Sequence, residues 1–313
     1  MRPRSLALAA CTVTLAACAS RMSQLPVDGP HVHPADSGGA TAMAAMQHGE
    51  MPGASSSALP AGAADAAQRL TSSPRHGEWV TVPGPTGAPG DSVRAWLVYP
   101  ERRTNAPVVV VIHEIFGLTP WIRAVADQLA ADGFIAIAPD LLTGRVPTNA
   151  TNLPDSATEA AARAAIGGLN RDVVQQQLDA TARYAMALPA ASKTYGVVGF
   201  CWGGGTSFAH AVHAPSLGAA VVYYGPTPPA AQLSSVRAPV LGLYGENDQR
   251  VNATIPAADS TLSAMGRTYV KHIYTGAGHG FLRQQTGANG ANMEATRQAW
   301  PETVRFFRQY LGS

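Results

Sequence analysis

Charge, cysteine and long apolar runs are all scarce in this chain of 313 residues. Charged residues make up 13% of it and the net charge is +2, with no basic run. So weak a balance carries no electrostatic footprint for nucleic acid, and that class of partner is set aside. Beyond the first twenty residues, no apolar stretch reaches the roughly 20 residues that a membrane helix needs. Aromatics are thin at 7%, while 31 Gly and 24 Pro accompany 46% hydrophobic residues. That mixture suits a globular core with a flexible appendage.

The scarcity of cysteine is the more informative absence. Only Cys11, Cys18 and Cys201 occur. Arg2 and Arg4 form a basic start, and residues 5–15 form an apolar stretch too short to span a bilayer, the pattern of a secretory signal. It ends in Leu15-Ala16-Ala17-Cys18, which looks like a bacterial lipobox, where cleavage precedes the cysteine and its thiol is lipidated. The expectation is a signal over 1–17 and a lipid anchor at Cys18. Ala19 rather than Asp follows, which resembles outer-membrane sorting, with the protein facing the periplasm. An ordinary signal peptide with Ala-x-Ala cleavage is the plainer alternative. Either way Cys201 is the one thiol left in the mature domain, so an internal disulfide is excluded. A lone thiol in an oxidising compartment is chemically exposed, which weighs against an accidental cysteine.

Residues 18–75 are rich in Ala, Gly, Ser, Pro and Met and show little periodicity, so they read as a flexible tether. Met43, Met46, His48 and Met51 carry donors that suit copper, but the low-complexity setting reads as linker. No metal and no cofactor are expected. From Glu78 the texture changes, and a single catalytic domain is expected over 76–313. Residues 93–99 alternate as a strand should. The run PVVVVI at 107–112 is continuously apolar, typical of a strand buried on both faces. Further strands are predicted at 134–138, 195–200, 219–224, 240–245 and 268–274. Helices are predicted at 121–133 (closed by Gly133), in two stretches near 155–188, from about 203, at 256–265 and at 292–311. Strands alternating with helices give an α/β class, with a mostly parallel sheet covered on both faces.

The sharpest local signal is Gly199-Phe200-Cys201-Trp202-Gly203-Gly204, which ends a predicted strand and opens a helix. That is the setting of a nucleophile elbow, where small flanking residues let a tight turn form without a Cβ clash. The helix end at Cys201 favours a thiolate and later an oxyanion, with the Trp202 amide as a donor, so a thiol pKa below that of a free cysteine is expected. A glycine-rich turn around a packing cysteine is the bland alternative. Downstream, Asp248 in Gly245-Glu246-Asn247-Asp248 and His279 in Gly276-Ala277-Gly278-His279-Gly280-Phe281 follow successive strands, in the chain order of such triads. Asp248 would orient His279, and His279 would act as general base and then acid. Glu246 competes for the acid position. His210 and His213 read as helix residues and His272 as a strand residue.

These segments, with His113-Glu114-Ile115-Phe116-Gly117 after a buried strand and Ala138-Pro139-Asp140-Leu141 after the next, resemble the dienelactone hydrolases across 76–313. The resemblance implies an α/β-hydrolase fold and a carboxymethylenebutenolidase-type activity, in which a thiolate attacks a lactone or enol ester. It also implies that Glu114 pairs with the resting thiol and helps deprotonate it, and that the Ile115 amide is the second oxyanion donor. Asp140 falls on a turn position. Arg283 matches an arginine that grips a substrate carboxylate, and Arg163 is the candidate for a second. Gly280 stands where the family usually has serine.

A cysteine hydrolase of small-molecule esters or lactones, working through an acyl-thioester, is the leading reading. Its rivals are a non-catalytic envelope lipoprotein that uses the fold as a binding module, and a serine-type peptidase or acyltransferase on the same fold. The oligomeric state is not legible in the sequence.

Overall fold

Strands that are apolar on both faces need a layer on each side, and the chain supplies them. The computed structural model describes residues 59–84, 86, 91–102, 104–146 and 156–312. Eight strands form one sheet: β1 (Gly77–Val82), β2 (Val93–Val98), β3 (Ala106–Ile112), β4 (Ile135–Pro139), β5 (Ala191–Phe200), β6 (Ala219–Tyr223), β7 (Val240–Gly245) and β8 (Tyr269–Tyr274). Their order is β1-β2-β4-β3-β5-β6-β7-β8. β1 and β2 pair antiparallel, as do β2 and β4, and every other pairing is parallel.

The period-two alternation of β3 divides its side chains between two cores. Val109 and Val111 face one core, with α2 (Pro120–Ala131) and α8 (Ala291–Leu311). Val108, Val110 and Ile112 face the other, with α4 (Arg171–Met186), α5 (Trp202–His213) and α7 (Ile255–Ala264). α2 ends at Gly133, whose φ of +101° is natural for glycine and costly for other residues. The first of the two helices expected near 155–188 is α3 (Ser156–Gly167), whereas strand β1, helix α1 (Ala66–Ser72), the single-turn helix α6 (Gln249–Asn252) and the short 3-10 segments Ala230–Ser235 and Ala288–Gly290 were not foreseen. β1 escaped because it is only half-buried and shows no clean alternation.

The tether expected over 18–75 needs correction at its end. Leu59 and Ala66 are buried in the α2/α8 core. The Arg69 guanidinium donates to Gln128 on α2 at 2.7 Å, and Arg75 forms a buried ion pair with Asp127 at 2.6 Å. Residues 59–75 therefore belong to the folded body, and the domain boundary placed at 76 falls too late. The signal segment, Cys18 and the Met/His cluster lie outside the described residues. Among the described residues no helix is long and apolar enough to cross a membrane.

Candidate active site

Parallel strands release their loops at one edge, and five such loops converge here. β3 leads to His113–Gly117, β5 to Cys201, β6 to Tyr224, β7 to Asp248 and β8 to His279. The carboxyl edge of an open α/β sheet is where ligand sites gather.

Cys201 joins β5 to α5 with φ 57° and ψ −115°, a backbone state that side chains avoid at about 1–3 kcal/mol. Its surroundings impose it. A Cβ at Gly199 would lie 1.9 Å from the Gly203 carbonyl oxygen, and one at Gly203 would lie 2.4 Å from that of His113. No side chain fits at either place. The Cys201 N–H donates to Tyr223 O at 3.1 Å, which pins the turn to β6.

His279 and Asp248 come together as the sequence order required. The His279 Nδ1–H donates to Asp248 Oδ2 at 2.5 Å, with Asp248 buried and His279 about one-third exposed. Glu246 is occupied elsewhere, accepting from the Gly276 N–H at 2.8 Å on the exposed side of the loop. Gly280 has φ +75°, so glycine in the serine position fits the backbone. His210 and His213 lie on α5, with buried His210 bonded to Gln175 and Tyr195, and His272 lies on β8.

The charged side of the site is built on a turn. Gly117 N–H donates to Glu114 O at 3.2 Å, presenting Glu114, Ile115 and Phe116 beside the elbow. Glu114 Oε2 lies 3.2 Å from Arg283 Nε, yet both atoms are buried without a hydrogen bond. Burial pushes the Glu114 carboxyl up to about 7, against the pull of Arg283 and with a further push from Glu159. Burial and the Glu114 carboxylate together push the Cys201 thiol up to about 11, against the Trp202 amide and Arg250. The expected low thiol pKa is thus overturned: desolvation outweighs the helix end. The Arg163 and Arg283 guanidinium carbons each lie 4.7 Å from the centre of the Phe116 ring. The Ile115 and Trp202 side chains share one small apolar cluster, which makes their loops neighbours.

Two residues here were not singled out as site residues. His113 is buried, its Nδ1–H donating to Glu114 O at 2.7 Å while Nε2 accepts from the Leu141 N–H at 3.2 Å. It ties the first loop to the end of β4, where Asp140 accepts from the Leu142 N–H as a turn residue. Tyr224, at φ 41°, packs its ring 5.2 Å from that of His279. Its hydroxyl is buried with no hydrogen bond, within the fields of Glu114 and Cys201. The strand-end position of this tyrosine was the available signal, but an orphaned hydroxyl is a tertiary fact.

A mostly parallel sheet with a strained cysteine turn and these carboxyl-edge loops defines an α/β-hydrolase fold. Residues 93–311 match the model of the dienelactone hydrolase family, and the chain belongs to that family. Among curated relatives, one from Methylorubrum extorquens is 32% identical over 232 residues, covering 70% of this chain and 77% of that protein. One from Escherichia coli K12 is 30% identical over 250 residues, covering 74% and 88%. Both carry the provisional name carboxymethylenebutenolidase. A crystal structure provisionally described as a dienelactone hydrolase, from Klebsiella pneumoniae, superimposes with TM-score 0.65 at 26% identity, covering 75% of this chain and 99% of that one. Membership of this family supports a hydrolase acting on lactones or esters.

Proposed function

We propose that this chain hydrolyses lactones or activated esters through Cys201, by way of an acyl-thioester. The observation that carries the reading is the placement of a strained elbow cysteine beside a buried Glu114 carboxyl, with the His279–Asp248 pair on the same sheet edge. A thiol raised to about 11 is no resting nucleophile near neutral pH, so a base must act as substrate binds. Glu114, at about 7, is matched to that task.

A substrate carboxylate that draws Arg283 away frees Glu114 to take the Cys201 proton. Sγ then attacks the carbonyl carbon, and the amides of Trp202 and Ile115 hold the oxyanion. The carbon–oxygen bond breaks, and His279, which enters this step as the imidazolium with a proton on Nε2, protonates the departing alkoxide or enolate, which in a lactone stays tethered to the acyl group. Water attacks the thioester as His279 takes its proton, the Cys201 thiolate leaves, and Glu114 returns to it the proton taken at the start. Asp248 occupies Nδ1, so Nε2 is the nitrogen that exchanges protons. Arg163 and Arg283 flanking Phe116 favour an anionic substrate.

The test compares one anionic and one neutral ester in wild type, Cys201→Ala and Arg283→Ala. Cys201→Ala should abolish turnover of both. Arg283→Ala should cut kcat/KM for the anionic ester by roughly ten- to a hundred-fold, because a charge-assisted hydrogen bond contributes about 1.5–3 kcal/mol. At pH above the acid limb the neutral ester should change much less. Full turnover by Cys201→Ala would end the thiol reading.

We further propose that Cys18 carries a lipid anchor and holds the enzyme at the cell envelope, facing the periplasm. The lipobox-like Leu15-Ala16-Ala17-Cys18 supports this. The full-length protein should then sediment with membranes, and Cys18→Ala should release it or leave it unprocessed. Wild-type protein found wholly soluble would remove the anchor.

A further inference from the structure

We propose that the segment Leu59–Ala63 is a positioning strap that fixes the Arg283 loop, and through it the Glu114–Arg283 pair, from outside the part of the chain the family model covers. That model begins at residue 93. The strap crosses the loop after His279 and bonds to its backbone and side chains. The Ala63 N–H donates to Arg283 O at 2.9 Å, and Gln285 Nε2 donates to Pro60 O at 2.9 Å. Between them, Trp121 Nε1 on α2 donates to Ala61 O at 3.1 Å, and Leu59 is buried in the core. The far end is fastened as well, with Ser73 and Arg75 both bonded to Asp127 on α2. A segment pinned to α2 on both sides, and to Arg283 in the middle, braces the loop against a rigid helix. The backbone of Arg283 is thereby set, and with it the reach of the side chain whose Nε stands 3.2 Å from Glu114 Oε2.

This inference rests on the reading that the Glu114–Arg283 pair governs thiol activation. Four groups act on or respond to the Glu114 charge: Arg283, Glu159, Cys201 and the Tyr224 hydroxyl. Loosening the strap weakens only the first, and Arg283 is the group that holds the Glu114 carboxyl down.

Ala63→Pro is the selective variant. Asp65 N–H closes a turn on Gly62 O at 3.2 Å, which puts Ala63 at the second turn position, where proline is favoured. The substitution keeps the turn and deletes the one N–H that reaches Arg283. In full-length protein the acid limb of kcat/KM for a neutral ester should move up by about half a unit, roughly a threefold loss below it. KM for an anionic ester should rise relative to the neutral one. Gln285→Leu, which removes the donor to Pro60 O, should shift both in the same direction, and Gln285→Glu, which loses the same bond and the one to Leu282 O, should do likewise; together they decide the matter should Ala63→Pro fold poorly. Arg75→Gln weakens the distant anchor, where Ser73 still bonds Asp127, and should lower Tm while leaving the Ala63, Pro60 and Ala61 bonds, and with them the limb, in place. An unmoved limb and unmoved substrate ratio in the Ala63 and Gln285 variants would overturn the strap. If Arg283→Ala itself leaves the limb unmoved, the activation reading fails instead, so the two failures are distinguishable.

Discussion

On one side of the site, the glycines around Cys201 press backbone against backbone: Gly199 on Gly203, and Gly203 on Ile112 and His113. On the other side, Glu114 Oε2, Arg283 Nε and Tyr224 OH are buried without hydrogen bonds. Both arrangements cost stability, but in different ways. The elbow stores its cost in one strained residue within a tight frame, so the Cys201 side chain cannot wander. The charged side leaves its polar groups unsatisfied, so a substrate can satisfy them. Buried polar atoms are almost always paired, yet these three lack hydrogen bonds while lying within one another's fields. The comparison teaches that position is fixed by sterics here, while reactivity is left to electrostatics.

Removing the Glu114 charge probes the second side. Its folded pKa of about 7 lies above the ordinary 4.5, so between those values the folded protein holds the proton more tightly than the unfolded chain. Stability is therefore lost as pH rises through this window, by an amount on the order of 3 kcal/mol once both limits are passed. Glu114→Gln keeps the shape and abolishes the titration. It should match wild type near pH 4, gain on it progressively to pH 7, and hold that advantage above, while turnover falls. Urea denaturation of both proteins at pH 4.5 and 8 measures the difference. A variant that is less stable than wild type at pH 8 would mean that the ion pair with Arg283 outweighs burial.

The two sides also differ in how far the sequence discloses them. The elbow is local, and its requirement for small residues is written in Gly199 and Gly203. Asp248 and His279 follow from chain order and from strands whose apolar runs are plain. The parallel strands were legible for the same reason, since β3, β4, β6 and β7 are buried on both faces and carry no polar interruptions. The thiol pKa was misjudged in direction, because helix ends can be read along the chain whereas desolvation depends on what folds over the residue. Tyr224 was passed over for the same reason. The strap misled through composition: an Ala-, Gly- and Pro-rich stretch looks like linker, but its attachment relies on backbone carbonyls and N–H groups that every residue carries.

A smaller effect sharpens the contrast at the elbow itself. With φ 57° and ψ −115°, Cys201 occupies a region that only glycine enters freely. In ordinary backbone, replacing Ala by Gly destabilises by roughly 0.5–1 kcal/mol, because the unfolded chain gains freedom. Here the strain relieved by removing Cβ is about 1–3 kcal/mol, which exceeds that entropy. Cys201→Gly should therefore be more stable than Cys201→Ala by about 1 kcal/mol, the reverse of the usual order. Neither variant has a thiol, so lost sulfur contacts and lost chemistry cancel between them, and the backbone term stands alone. Equilibrium unfolding of the pair supplies the number. If Cys201→Gly is the weaker of the two, the turn is unstrained, and the close glycine contacts place residue 201 without the backbone opposing them.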